Sequence, residues 1–230
     1  MAQRETRRFA VGALEATADA AGGLWIDSER ALLVSDLHLE KASSYARRGS
    51  LVPPYDTGLT LAVLATMIAR FNPRRVIALG DSFHDDGGSG RLSARDLATL
   101  STLQVGRDWL WIAGNHDPSP PRGIAGDVAH AIVISGVVLR HEPSTLDPRP
   151  QIAGHLHPCA TVVMRGRGVR RRCFATDGTR LVMPALGAYS GGLNLFHAAF
   201  ANLFERRSLI AHVLGDSGLF SFPIAALAAD

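Results

Sequence analysis

Thiols and lysines are almost missing from this sequence, and each absence excludes something. Cys159 and Cys173 are the only cysteines, too few for a disulfide framework, which rules out the small stapled scaffolds of secreted proteins and fits a reducing compartment, the cytoplasm by default. Lys41 is the only lysine, so positive charge rests on arginine; so lopsided a usage, beside so much alanine, reflects base composition more than selection for a ligand. No stretch approaches the ~18 apolar residues of a membrane span, and the N-terminal segment with Arg4, Arg7 and Arg8 has no apolar h-region. The expectation is a soluble, unprocessed chain with no membrane partner. A large charge of one sign is lacking too: the net charge of +3 is mild, and basic residues stand out only by clustering, at Arg47 and Arg48 and across Arg165, Arg167, Arg170, Arg171 and Arg172. There is no internal repeat, linker or low-complexity segment, and the stretch from Gly187 to Gly192 lacks phosphate-loop spacing and reads as a turn.

What is present suffices for a core. With 230 residues, 47% of them hydrophobic, and no compositional break, the chain predicts one domain over residues 1–230. Five short stretches stand out, each after an apolar run that reads as a buried strand: Asp36-Leu37-His38, Gly80-Asp81-Ser82-Phe83-His84, Gly114-Asn115-His116-Asp117, His141-Glu142, and Gly154-His155-Leu156-His157.

Strands and helices alternate in a way that gathers these stretches. Phe9 to Leu14, Gly23 to Ile26 and Ala31 to Ser35 predict an opening antiparallel set, with a turn at Asp27 to Arg30. Thr57 to Phe71 carries Leu64, Met67, Ile68 and Phe71 on one helical face and stops before Pro73, so it reads as a crossover helix. Val76 to Leu79 is then a second buried strand, and a right-handed parallel connection would put Asp81 beside Asp36. Ser93 with Asp96 marks another helix start, and Trp109 to Ala113 a third strand. Beyond Pro121 the pattern changes to short strands, Ala129 to Ile134, Val137 to Arg140, Thr161 to Met164, Arg172 to Ala175 and Arg180 to Met183, predicting a mostly antiparallel second sheet that faces the first.

The chemistry follows from the donor types. Carboxylate, imidazole and amide oxygen form a mixed nitrogen and oxygen set suited to manganese, iron or zinc, with no cysteine placed as a ligand. A bridging aspartate, for which Asp81 is the candidate, lets two cations sit about 3.5–4 Å apart and work on a phosphoryl group. Residues at i and i+2 face opposite ways in a strand, so Asp36 with His38 and His155 with His157 must lie in turns past strand tips. Each residue alone has a plainer explanation: a single histidine or aspartate after a strand is usually a hydrogen-bonded cap or turn residue. Five such stretches in this order point to a two-metal hydrolase instead. His130, His197 and His212 lack such company and read as structural, Asp85 and Asp86 as solvated turn carboxylates, and the Arg165 to Arg172 run as a solvated hairpin.

The series Asp-x-His, Gly-Asp, Gly-Asn-His-Asp, His, Gly-His-x-His, running from Asp36 to His157, resembles the calcineurin-like metallophosphoesterase superfamily. The resemblance implies a four-layer α/β/β/α sandwich of two mixed sheets between helices. It also implies that Asp36, His38, Asp81 and His157 hold one divalent metal ion and Asp81, Asn115, His141 and His155 the other. A metal-bridging hydroxide would be the nucleophile and His116 the general acid. Glu142 stands where many members have glycine.

A narrower resemblance, to the bacterial ligase-associated DNA damage response endonuclease (PdeM) branch, is carried by Asp-Leu-His-Leu-Glu-Lys, by Arg47-Arg48-Gly49 through Thr57, by Gly-His-Leu-His-Pro, by Arg172-Cys173-Phe174 and by Pro184 to Tyr189. It implies a DNA phosphodiesterase or endonuclease in DNA repair, functionally linked to a DNA ligase and a helicase; the mixed donor set makes two divalent ions, Mn2+ ahead of Fe or Zn, the expected cofactor. Arg47, Arg48, Arg170, Arg171 and Arg172 would then bind substrate. His84 resembles the histidine that assists the acid in repair nucleases, where many phosphatases carry aspartate; this favours a diester. Two alternatives stay open, a small-molecule phosphodiesterase or phosphomonoesterase and a non-enzymatic scaffold of the same fold. The oligomeric state is open as well, a homodimer included.

Overall fold

The computed structural model describes residues 5–119 and 121–230; Arg4 lies outside them. β1 (Thr6–Val11), β2 (Leu14–Asp19), β3 (Leu24–Ile26) and β4 (Ala31–Val34) follow one another antiparallel, with the expected turn at Asp27 to Arg30 between β3 and β4. After α1 (Lys41–Arg47) and α2 (Asp56–Phe71), β5 (Arg75–Leu79) lies parallel to β4; α3 (Ala94–Gln104) then leads to β6 (Asp108–Ile112), and β7 (Asp127–Ala129) closes the sheet. Helix α2 buries Leu61, Leu64, Met67 and Ile68, ends on Asn72 in a left-handed C-cap, and returns the chain for the parallel pairing. Ser93 caps α3 as its sequence predicts, its hydroxyl accepting from the Asp96 N–H at 3.1 Å.

The second sheet contains β8 (Ala131–Ile134), β9 (Val137–Arg140), β10 (Gln151–Ala153), β11 (Pro158–Met164), β12 (Arg167–Thr176), β13 (Arg180–Val182) and β14 (Leu193–Asn194), with β15 (Ile210–Gly215) and β16 (Gly218–Pro223) joined through β12. Most pairings are antiparallel, but β10 runs parallel to both β9 and β13, so the sheet is mixed. Between the sheets Leu33, Ile77 and Leu79 meet Leu139, Ile152, Phe174 and Leu181 in one apolar layer. Each such side chain contributes roughly 1.5–3 kcal/mol of burial. Outside the first sheet, α2 and α3 cover Leu32, Val34, Val76 and Trp109.

The structure departs from the sequence expectations in several places. The run from Phe9 to Leu14 is not one strand: the chain turns at Gly12 (φ 57°), which ends β1 at Val11 and opens β2 at Leu14, and β2, with Leu14, Ala16 and Ala18 alternating into the core, was not expected. The run from Ala129 to Ile134 is not one strand: the chain leaves the first sheet after β7 and enters the second at β8, and an apolar pattern does not say which sheet it joins. Helix α1 was not expected, because it buries only Ala42 and Ser44; its first turn is held from outside, by the Asp56 carboxylate accepting from the Ala42 N–H at 3.0 Å. Among the described residues the layer outside the second sheet has no α-helix; 3-10 turns and loops carrying Phe200, Leu203, Leu209 and Ile224 do that work. Asp85 and Asp86 are not merely solvated: Asp85 holds Arg91 at 2.7 and 2.8 Å, and Asp86 accepts from the Ser119 N–H at 3.1 Å. Among the described residues no helix is long and apolar enough to cross a membrane.

His212 on β15 stacks on Phe9 of β1 at 4.8 Å, joining the two sheets, and its Nδ1 lies 2.7 Å from Ser221 Oγ. Burial, helped by the Arg7 charge, pushes it down from 6.5 to about 4. The unfolded chain therefore takes up a proton that the fold refuses, so this contribution to stability is complete above about 6.5 and is lost as pH falls toward about 4. The urea midpoint should drop on acidification from neutral pH to roughly pH 5, and His212→Gln, which keeps a partner for Ser221 but cannot titrate, should show a smaller drop. An equal drop would place the acid sensitivity elsewhere.

Candidate metal centre

Parallel pairing decides where the five stretches go. β4, β5 and β6 run side by side, so the segments after Val34, Leu79 and Ile112 leave the first sheet at one edge, and the segments after the parallel β9 and β10 leave the second. A crevice at the carboxyl ends of strands is the ordinary place for a ligand. There the backbone turns sharply: Asp36 (φ 52°), His38 (φ 43°), Asp81 (φ 46°), His155 (φ 69°) and His157 (φ 45°) are all left-handed. This is how residues at i and i+2 come to face the same way. Such backbone costs about 1–3 kcal/mol per residue and persists only where its surroundings enforce it. Glycine is required beside them, since a Cβ on Gly80 (φ 79°) would run into the His141 ring and one on Gly154 into Ser35 and Asp36.

The side chains collect into two donor groups. Ligand atoms of Asp36, His38 and His157 lie within 4.8 Å of one another, and so do those of Asp81, His141 and His155. His157 Nε2 is 3.1 Å from Asp36 Oδ1 and 3.3 Å from His38 Nε2. His141 Nε2 is 3.0 Å from Asn115 Oδ1, 3.2 Å from His155 Nδ1 and 3.3 Å from Asp81 Oδ1. Asp81 reaches the first group through Oδ2, 3.9 Å from His38 Nε2. His141 Nδ1 lies 2.9 Å from the Leu79 carbonyl and His157 Nδ1 3.1 Å from that of Gly191, so each donates there and turns its Nε2 toward the site.

The solved structure of the nuclease MPE from Pseudomonas putida superposes with a TM-score of 0.71 at 26% sequence identity, covering 94% of this chain and 100% of that one. This chain has the calcineurin-like metallophosphoesterase fold. Two further solved structures, the phosphoesterase Yfce from E. coli and a Vps29 mutant from Entamoeba histolytica, align at TM-scores of 0.40 and 0.35 and identities of 13% and 16%. Each alignment covers 84% of this chain, with 98% and 96% of theirs, and at those scores they add no weight. No protein-family model and no curated protein matches the sequence.

Within this metallophosphoesterase fold, two buried carboxylates set the electrostatics. Burial by itself would raise Asp36, but the hydrogen bond and charge of His157, the charge of His141 and the Ser35 hydroxyl outweigh it and hold the carboxyl below its usual range. Asp81 is held at about 2 against the same desolvation, by His141, the His116 N–H and His38. Burial pushes His38 down to about 3 despite both carboxylates. His141 goes the other way, to about 9, because the Asp81 hydrogen bond and the charges of Asp36 and Asp81 overcome its desolvation. A cation bound at His141 Nε2 must therefore displace a proton. Exposed Glu142 contributes only a distant charge, felt at His155.

His116 is the one imidazole here that stays open, with 39% of its side chain exposed. Its Nδ1 lies 2.9 Å from the His84 carbonyl, its main-chain N–H donates to Asp81 Oδ1 at 2.9 Å, and its Nε2 points inward, 3.9 Å from Asp81 Oδ2. The His84 ring stacks on it at 5.0 Å, and burial, with Lys41, His116 and Arg48 adding to it, pushes His84 down to about 4, so it is neutral at neutral pH. His84 thus touches His116 by its carbonyl and ring face, while its own Nδ1 sits 3.4 Å from His38 Nδ1.

Asp117, quoted above within its stretch but given no role there, is buried and accepts from the Phe83 N–H at 3.0 Å and the Gly114 N–H at 3.2 Å, tying two ligand loops together. Burial pushes it up to about 7. The Gly187 to Gly192 stretch is more than a turn, since its Gly191 carbonyl orients His157; nothing local in a glycine run announces that. Arg47 and Arg48 border the His84 side, whereas Arg170, Arg171 and Arg172 lie on β12 toward Gly191.

Proposed function

We propose that this chain is a DNA phosphodiesterase, an endonuclease of DNA repair working in the cytoplasm beside a DNA ligase and a helicase, formed by one domain over its 230 residues and dependent on two divalent cations, manganese foremost. The observation that carries this reading is Asp81, a buried carboxylate within 3.9 Å of His38 on one side and 3.3 Å of His141 on the other. The donors fit such a pair: two carboxylates, an amide oxygen and four imidazoles, of which His141 and His157 have their outer nitrogens tied to carbonyls. Asp36, His38, Asp81 and His157 would hold one cation, and Asp81, Asn115, His141 and His155 the other. When bound, the pair supplies Lewis acidity and a nucleophile at neutral pH.

The rest is done by the chain itself. With Nδ1–H committed to the His84 carbonyl, a protonated His116 can release only its Nε2 proton, toward the leaving oxygen, and so return to the neutral tautomer that the carbonyl already selects. His84 positions that ring. The Pseudomonas putida neighbour is a nuclease, which supports a nucleic-acid diester, and Arg47, Arg48, Arg170, Arg171 and Arg172 are the cations available to hold its backbone.

Chelation should abolish hydrolysis of both bis-p-nitrophenyl phosphate and DNA, and manganese should restore it with two ions per chain by metal analysis. Activity indifferent to chelator would sink the reading. Cleavage of cyclic nucleotides but of no DNA under any metal would hand it to a small-molecule phosphodiesterase.

A further inference from the structure

A cavity of about 490 Å³ opens beside the metal centre, between the β12 arginines and the loop Ser190-Gly191-Gly192. It shares a wall with the site: the Gly191 carbonyl holds His157 at 3.1 Å, and the same loop is anchored by the Gly187 N–H donating to the Asp36 carbonyl at 3.0 Å. The three arginines there are not equivalent. Arg170 is engaged, donating to Asp230 Oδ2 at 2.9 Å and to the Gly192 carbonyl. Arg171 gives Nη1 to the Arg170 carbonyl at 3.2 Å and has one loose carboxylate partner, Asp216, 3.7 Å away and almost wholly exposed. Arg172 is half-buried, gives Nη1 to the Ala185 carbonyl at 2.7 Å, and has no carboxylate within ion-pair reach among the described residues.

Across from them the Ser190 hydroxyl is shut off from solvent and lies against Gly187, so that wall meets the cavity with loop backbone and not with the hydroxyl. The thiol of Cys159, which also lines the cavity, is raised by burial and stays neutral. A half-buried cation without a counter-charge carries a cost that an oxyanion would remove, and an arginine fork suits phosphate in particular.

We propose that this cavity binds a second, non-scissile phosphate of the substrate strand, held by Arg172 and Arg171. The assignment rests on the phosphodiesterase reading above and narrows it: the substrate is a polynucleotide carrying a phosphate on the His157 side of the scissile one. A cyclic mononucleotide has nothing to place there.

The test compares kcat/KM of the manganese-loaded protein on a single-stranded oligodeoxynucleotide and on bis-p-nitrophenyl phosphate, for wild type, Arg171→Gln and Arg172→Gln. The ratio of the two values should fall roughly tenfold in each variant, through the oligonucleotide KM, the size of one charge-assisted hydrogen bond. Arg171 is exposed, so Arg171→Gln keeps the answer readable if Arg172→Gln fails to fold. A ratio unchanged in Arg171→Gln, while wild type still hydrolyses the small diester, overturns the cavity assignment alone. A wild type inert on both substrates overturns the phosphodiesterase reading and this assignment with it.

Discussion

Asp81→Asn should remove both metal ions and with them nearly all turnover, by roughly a thousandfold or more. The carboxylate faces both donor groups at once, through Oδ1 toward His141 and Oδ2 toward His38, so its loss weakens two sites where any other ligand substitution weakens one. Several kcal/mol of charge stabilisation depend on such a pair, and about 4 kcal/mol is a thousandfold in rate. Asparagine also turns an acceptor oxygen into a donor beside His141, and removes the partner that raises His141 to about 9. Metal analysis after reconstitution reads the outcome, with circular dichroism as the check on folding. A folded variant that keeps two ions per chain and wild-type kcat would show that Asp81 bridges nothing.

His116→Gln should do the opposite, leaving the metal content unchanged while lowering kcat on a DNA diester by about a hundred- to ten-thousandfold, the range of general acid catalysis. Glutamine preserves the main-chain N–H that donates to Asp81 Oδ1, so the aspartate stays in place while the proton donor is lost. The defect should shrink on bis-p-nitrophenyl phosphate, because p-nitrophenolate leaves without needing a proton. Equal losses on the two substrates would argue for a binding role, and loss of a metal ion would make His116 a ligand. The second outcome has a concrete rival in the structure, since His38, His84 and His116 also bring their ring nitrogens within 4.8 Å of one another.

Much of this site is legible in the sequence because its parts are local. Asp-x-His and His-x-His after apolar runs can share a face only in sharp turns, and the left-handed φ angles of Asp36, His38, His155 and His157 are that requirement met in the backbone. The parallel pairing of β4 with β5 followed from one amphipathic crossover helix and the handedness of such connections. The turn at Asp27 to Arg30 and the Ser93 cap are likewise short-range chemistry that a sequence displays.

What the sequence could not determine depends on partners far away along the chain. Nothing around residue 130 reveals that the strands on its two sides belong to different sheets, because apolar alternation records burial and not the identity of the neighbour. Helix α1 is held at its start by Asp56, and the rings of His141 and His157 are set by the carbonyls of Leu79 and Gly191, contacts spanning 14, 62 and 34 residues. The arginine cluster shows the same limit most plainly. As a string of like charges, Arg170, Arg171 and Arg172 are interchangeable, and only the tertiary structure separates the one neutralised by Asp230 from the one left half-buried without a counter-charge, because ion pairing is decided by what the fold brings within a few ångströms.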